Sequence, residues 1–213
     1  IAGLSVEAGE QVALTGFDQP SAEVFISLVT GAALPDSGTI EVCGRRTADI
    51  VDSADWLSTL DRFGIVSERA ALVDQFSVAQ NLALPFSLEI DPPPPDIYEK
   101  ARVLALESGL GEDVLDRQAG ALTAAERMRM RFARALALGP SLLLVEHPSA
   151  SVPAEEALAF ARDMRRVLDA RGVTSVTLTA DRAYAEAAAS RVLALDPATG
   201  ALTKIHAGLL RFW

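Results

Sequence analysis

Two stretches of this chain hold residue types that could act on a phosphate. The first is Gly16-Phe-Asp-Gln-Pro-Ser-Ala-Glu23, placed between the apolar run Gln11–Thr15 and a helical pattern over 21–31. Strand, glycine-led loop and helix is the setting of G-x-x-x-x-G-K-[ST]. There, backbone N–H groups curl round phosphates, lysine bridges them and a hydroxyl holds Mg²⁺. Here Gly16 is kept, but Ser21, Ala22 and Glu23 stand at the second glycine, the lysine and the hydroxyl position. Pro20 removes one N–H, and Asp18 and Glu23 add carboxylates. The second stretch is Glu146-His147, closing the run SLLLVE. A glutamate there could hold a metal, and a neutral imidazole is a possible general base. A base alone supplies only ~10²–10⁴ in rate, while phosphoryl transfer rests on positioned cations. His147 therefore reads first as a strand-end histidine without chemistry.

The losses are large on any scale. A missing charge-assisted hydrogen bond costs ~1.5–3 kcal/mol. A carboxylate ~4 Å from a phosphate charge adds ~4 kcal/mol of repulsion at an effective dielectric of 20. Each ~1.4 kcal/mol is tenfold in affinity, so together they would carry a micromolar site past millimolar. No register shift restores the loop: the only lysines are Lys100 and Lys204, and no Gly-Lys pair occurs in the chain.

The elements that must position these residues alternate. Apolar strand patterns fall at 11–15, 40–43, 64–66, 142–145, 175–179 and 191–195, and helical patterns at 21–31, 97–108, 123–138 and 154–170. In the helix from Thr123, Met128, Phe132, Ala135 and Leu136 share one face, with Arg127, Arg131 and Arg134 largely off it. Alternation of this kind predicts a doubly wound α/β domain with a mostly parallel sheet. Between about 69 and 131 the strand signal vanishes, which reads as a helical insertion. The stretch DPPPPD at 91–96 is stiff, extended chain; it reads as a surface connector ahead of a ligand for a proline-binding module.

Composition narrows the class. Of 213 residues, 50% are apolar and 23% charged, which describes a folded globular chain. The net charge of −10 argues against a nucleic-acid binder. No apolar run reaches the ~18 residues of a membrane span. No leader-like segment opens the chain, which begins at Ile1 rather than Met. Cys43, alone, forms no disulfide framework or cysteine metal cluster and reads as a small buried hydrophobe on the strand at 40–43. The apolar ending GLLRFW reads equally as a truncation or a contact patch.

Taken in order, the segments resemble the ATP-binding-cassette family, the nucleotide-binding subunits of ABC transporters, from about Gly3 to Ile205. SVEAGEQVALTG and LVTGAALPDSGTIEVCG resemble the strands around the phosphate loop and the stretch after its first helix. FSVAQNLALP resembles the start of the family's helical subdomain, in a form common among lipid and lipoprotein exporters. RMRMRFARALALGPSLLLVEHPSAS resembles the long helix running into the Walker B strand, and RVLALD a late strand.

The resemblance implies a single domain over 1–213: a P-loop NTPase-like α/β core at 1–68 and 132–213, with an inserted helical subdomain at 69–131. It places the family's metal-reaching glutamine at Glu68 and its LSGGQ-like signature at Leu122, Thr123, Ala124, Ala125 and Glu126. It places the Walker B carboxylate at Glu146, the catalytic glutamate at His147, a later aspartate at Pro153 and the switch histidine at Ala180. An adenine-stacking aromatic would lie upstream of Ile1. Leu122 and the Thr123 hydroxyl keep the pattern, and Glu146 is one methylene longer; the other positions depart from the family's chemistry, so no catalytic residue or cofactor is expected, nor a metal unless at Glu146, with ATP and Mg²⁺ entering only if the altered site still binds them. Family partners would be a transmembrane permease subunit, gripped by residues near Glu68 to Gln80, and a second cassette in a homo- or heterodimer. That implies a non-catalytic structural or regulatory transport subunit at the cytoplasmic face of a membrane, without insertion into it. A divergent weak ATPase using Glu146 and His147 is the alternative, and a free-standing adaptor a third.

Overall fold

The apolar runs become a sheet whose central strands are covered on both faces. In the computed structural model, which describes residues 1–205, β1 (Gln11–Thr15) leads into α1 (Gln19–Val29), followed by a small hairpin, β2 (Glu41–Val42) and β3 (Arg45–Arg46). Then come α2 (Ser53–Leu60), β4 (Phe63–Val66), α3 (Val78–Ala83), α4 (Pro95–Glu107) and α5 (Ala124–Leu136). The chain continues through β5 (Leu142–Glu146), α6 (Ala154–Arg171), β6 (Thr174–Leu178), α7 (Arg182–Ala188), β7 (Arg191–Leu195) and β8 (Leu202–Lys204). The main sheet runs β4-β5-β6-β1-β7-β8, parallel throughout except for β8 against β7. This is the mostly parallel α/β arrangement expected from the alternation.

β5 shows why the run is continuously apolar. Leu142 and Leu144 pack with α1 residues Phe25 and Ile26, while Leu143 and Val145 join the opposite cluster with Phe132 of α5 and Phe160 of α6. That second cluster extends without a break to Leu82 of α3 and Leu104 of α4. Between β4 and β5, residues 67–141 hold α3, α4 and α5 and no strand among the described residues. At Gly64 of β4 a Cβ would lie 2.5 Å from the carbonyl of Ala135 and 2.7 Å from Leu143 Cδ1, so α5 rests directly on the strand's backbone.

Several expectations need correction. The pattern at 40–43 is not a strand of the main sheet but half of the β2–β3 hairpin, and Cys43 is exposed at its turn with φ of 52°. A turn must leave the sheet's packing, so the thiol is not buried. Helix α1 begins at Gln19, because the Asp18 side chain caps it and Pro20 suits a first turn. Helices α2, α3 and α7 and strand β8 gave no usable signal: all are short, and α2 buries no residue. The ending GLLRFW lies outside the described residues.

Candidate functional site

The carboxyl ends of β1, β4 and β5 open on one side of the sheet, where open α/β folds carry their ligand crevices. A cleft of about 270 Å³ lies there, between Gln19 and Glu23 of α1, Ser67 to Arg69 after β4, and Glu146, His147 and Ala150 at the end of β5. Of the residues singled out in the sequence, Glu23, Glu68, Glu146 and His147 meet here; Gly16, Ser21, Ala22 and Ala180 do not line it. Leu122 to Glu126 stand apart at the start of α5.

A closed ring of side chains fills the floor of the cleft. Arg69 reaches the second oxygen of each of two carboxylates, Glu146 at 3.0 Å and Glu23 at 3.3 Å. On the other side, Gln19 Nε2 donates to Glu23 Oε1 at 3.2 Å and also to Glu146 Oε1. The Glu146 side chain is only 1% exposed, whereas that of Arg69 is 52% exposed. Burying a carboxylate so completely requires a paired cation and satisfied lone pairs, and Arg69 and Gln19 supply both. Neither residue was singled out in the sequence. The one available signal was the arginine following Glu68, and nothing local says that it meets a carboxylate 77 positions on.

The loop itself is satisfied from within. Asp18 Oδ1 accepts from the Ser21 backbone N–H at 2.9 Å and also from the Ser21 hydroxyl. These two hydrogen bonds from Ser21 hold the Asp18 carboxyl below its ordinary value. Ala22 is fully buried in the cluster with Val12, Leu14 and Phe25, so its position presents no cation to the cleft. Gly16 has φ of +88°, and a Cβ there would meet the Leu195 carbonyl oxygen at 2.8 Å. Close packing of the loop against β7 therefore demands glycine with no reference to a phosphate.

Glu68, on the wall of the cleft, accepts from the Ser151 hydroxyl. His147 adopts φ of 42°, its N–H donates to the Leu178 carbonyl at 2.8 Å, and its buried Nε2 has no partner among the described residues. Ala180 is exposed just beyond β6. Among the described residues no group of three or more His, Cys, Asp or Glu side chains is placed to hold a metal ion.

At the start of α5 a capping box closes the first turn. Glu126 Oε2 accepts from Thr123 N at 2.7 Å, while Thr123 Oγ1 accepts from Glu126 N at 3.2 Å. Burial pushes the Glu126 carboxyl up, but the bonds to Thr123 and the Arg117 guanidinium at 3.0 Å outweigh it, and the net shift is downward. Ala125 and Leu122 are both buried, held in the helical cluster.

The fold and the crevice at the strand ends define a nucleotide-binding-cassette architecture. The family model described as ABC transporter matches residues 2–150, and the chain belongs to that family. It is 32% identical over 197 residues to a sulfate/thiosulfate import ATP-binding protein of Methylococcus capsulatus, covering 91% of this chain and 54% of that protein. The chain thus spans about half the length of the sulfate-importer relatives it matches. A lipoprotein-releasing system ATP-binding protein of Anaeromyxobacter dehalogenans is 30% identical over 186 residues, covering 86% of this chain and 76% of the relative. Import and lipoprotein-releasing ATP-binding proteins thus stand side by side among its relatives. In fold it is similar to a dimeric ATP-binding cassette in a post-hydrolysis state bound to ADP and Pi, with a TM-score of 0.76 at 20% identity, covering 91% of this chain and 84% of that one. No helix among the described residues is long and apolar enough to cross a membrane.

Proposed function

We propose that the chain is a non-catalytic structural or regulatory subunit of an ABC-type transport complex. It would work by shape, docking a permease subunit and a second cassette at the cytoplasmic face of a membrane. The observation that carries this reading is the ring Gln19–Glu23–Arg69–Glu146. The residues of the loop fit a nucleotide–Mg²⁺ complex poorly: the cation nearest the loop is already shared between two carboxylates. The residue at the lysine position is a buried methyl, and carboxylates of the chain itself take one amide at each helix start, Asp18 that of Ser21 and Glu126 that of Thr123. A helix N-terminus ordinarily attracts anions; here a carboxylate of the chain already stands at each of these two helix starts and opposes a second anion.

Calorimetric titration of the purified chain with Mg²⁺-ATP to millimolar concentration, alongside thermal melting, tests the proposal. Silence in both from folded protein is expected. Saturable, Mg²⁺-dependent heat would overturn it. One observation favours a second reading, a divergent weak ATPase: His147 lines the cleft, and its buried Nε2 has no hydrogen-bond partner among the described residues. That reading requires Mg²⁺-dependent phosphate release that His147→Ala abolishes.

A further inference from the structure

We infer that Arg69 is a resident cation that clamps the segment 67–77 to the sheet, holding the helical part of the molecule in one pose without a ligand. The segment is irregular chain joining the end of β4 to the start of α3. Irregular chain of this length is ordinarily among the first parts of a fold to open. Here every stage of it is tied down by side chains. At its start Arg69 bridges to α1 through Glu23 and to β5 through Glu146, and its own N–H donates to Ser67 Oγ at 3.1 Å. Glu68 is fastened to Ser151, beyond the end of β5.

From the other side, Arg131 of α5 donates to the carbonyls of Glu68 at 3.2 Å and Ala70 at 3.3 Å. Arg127 pairs with Asp74 at 2.9 Å. At its far end, the wholly buried Asn81 of α3 accepts from Val73 N at 2.9 Å and donates to Val73 O at 3.0 Å. The segment is therefore fixed to α1 and β5 on one flank and to α3 and α5 on the other. Arg69, with the Glu68–Ser151 bond beside it, provides the link to the sheet, since Arg127, Arg131 and Asn81 reach only the helical side. A guanidinium shared by two carboxylates, with a glutamine amide closing the ring, is a preorganised planar fork that loses little freedom in forming these bonds.

The inference deepens the non-catalytic reading and rests on it, because a nucleotide entering the cleft would have to displace Arg69. Hydrogen exchange of the full chain tests it, comparing wild type, Arg69→Ala and the double variant Arg69→Ala/Glu146→Gln, each with and without Mg²⁺-ATP. The double variant removes the buried charge that the single one strands, so it folds if the single one does not. Amides of 67–77 are expected to exchange about tenfold faster in the double variant, with α6 and β6 unchanged. Wild-type protection should be indifferent to Mg²⁺-ATP. Equal protection of 67–77 in wild type and double variant would overturn the clamp and leave the non-catalytic reading standing. Altered wild-type exchange on adding Mg²⁺-ATP would instead sink the non-catalytic reading.

Discussion

Asp18 shows how one residue can change what a loop is for. Its carboxylate occupies the amide at the head of α1, a place where the sequence motif would seat a phosphate. Removing an N-cap carboxylate destabilises the helix it starts, so Asp18→Ala should lower the melting temperature by roughly 2–4 °C for a chain of this size. The same change frees an N–H at a helix start, and the melting temperature of the variant should then rise more with added sulfate than that of the wild type, which shows only sulfate's general stabilising effect. A variant as stable as wild type would remove Asp18 from this role. Part of the loop was legible: with Gly16 kept, Ser21, Ala22 and Glu23 could be read as departures from the motif alone. What filled the vacancy was not. Charge balance within a cleft depends on which side chains the fold brings together, and Arg69 meets Glu146 across the sheet. The sequence argument that the loop lacks a lysine of its own was sound, yet a cation reaches it from elsewhere in the chain, already committed to two carboxylates.

At the scale of elements, the start of α5 repeats the pattern of α1. Asp18 and Glu126 both hold their protons more weakly than an ordinary carboxyl, each because it accepts hydrogen bonds at a helix start. A carboxyl lowered on folding stabilises the fold fully above its unfolded value, here 4.5 for Glu126, and loses that contribution as pH falls through the lowered one. Acid unfolding followed by circular dichroism should therefore become shallower below about pH 4.5 in Glu126→Gln, which keeps the capping shape without the charge. An unchanged acid limb would mean the box contributes no charge-dependent stability. Strands β1 and β7 matched their sequence patterns because burial on both faces leaves an uninterrupted apolar run. Helix α3 escaped notice because six residues cannot establish a helical period, even with a capping box at Ser77 and Gln80. Arg127 and Arg131 of α5 were read as an off-core face; structurally they are connections, to Asp74 and to the carbonyls of 68 and 70, and Arg129, not singled out, adds one to Asp163.

Across the whole molecule, the ring stack of Phe132, Phe160 and Tyr184 ties α5, α6 and α7 together behind the sheet, with centroids 5.7 and 6.4 Å apart. Because the same cluster runs on into α3 and α4, core and helical part should unfold in one transition. Phe160→Ala should cost about 3–5 kcal/mol and shift that single transition as a whole; two separate transitions would show that the helical residues fold independently. The proposed division at 69–131 is therefore a matter of chain topology more than of separate cores. The exposed turn of the β2–β3 hairpin has a practical consequence at this scale. Cys43 is the one thiol in the sequence and stands in open solvent, so a maleimide dye should attach in a single equivalent without denaturant. Each chain would then carry one fluorophore, and stepwise photobleaching of an assembled complex would count how many copies it contains.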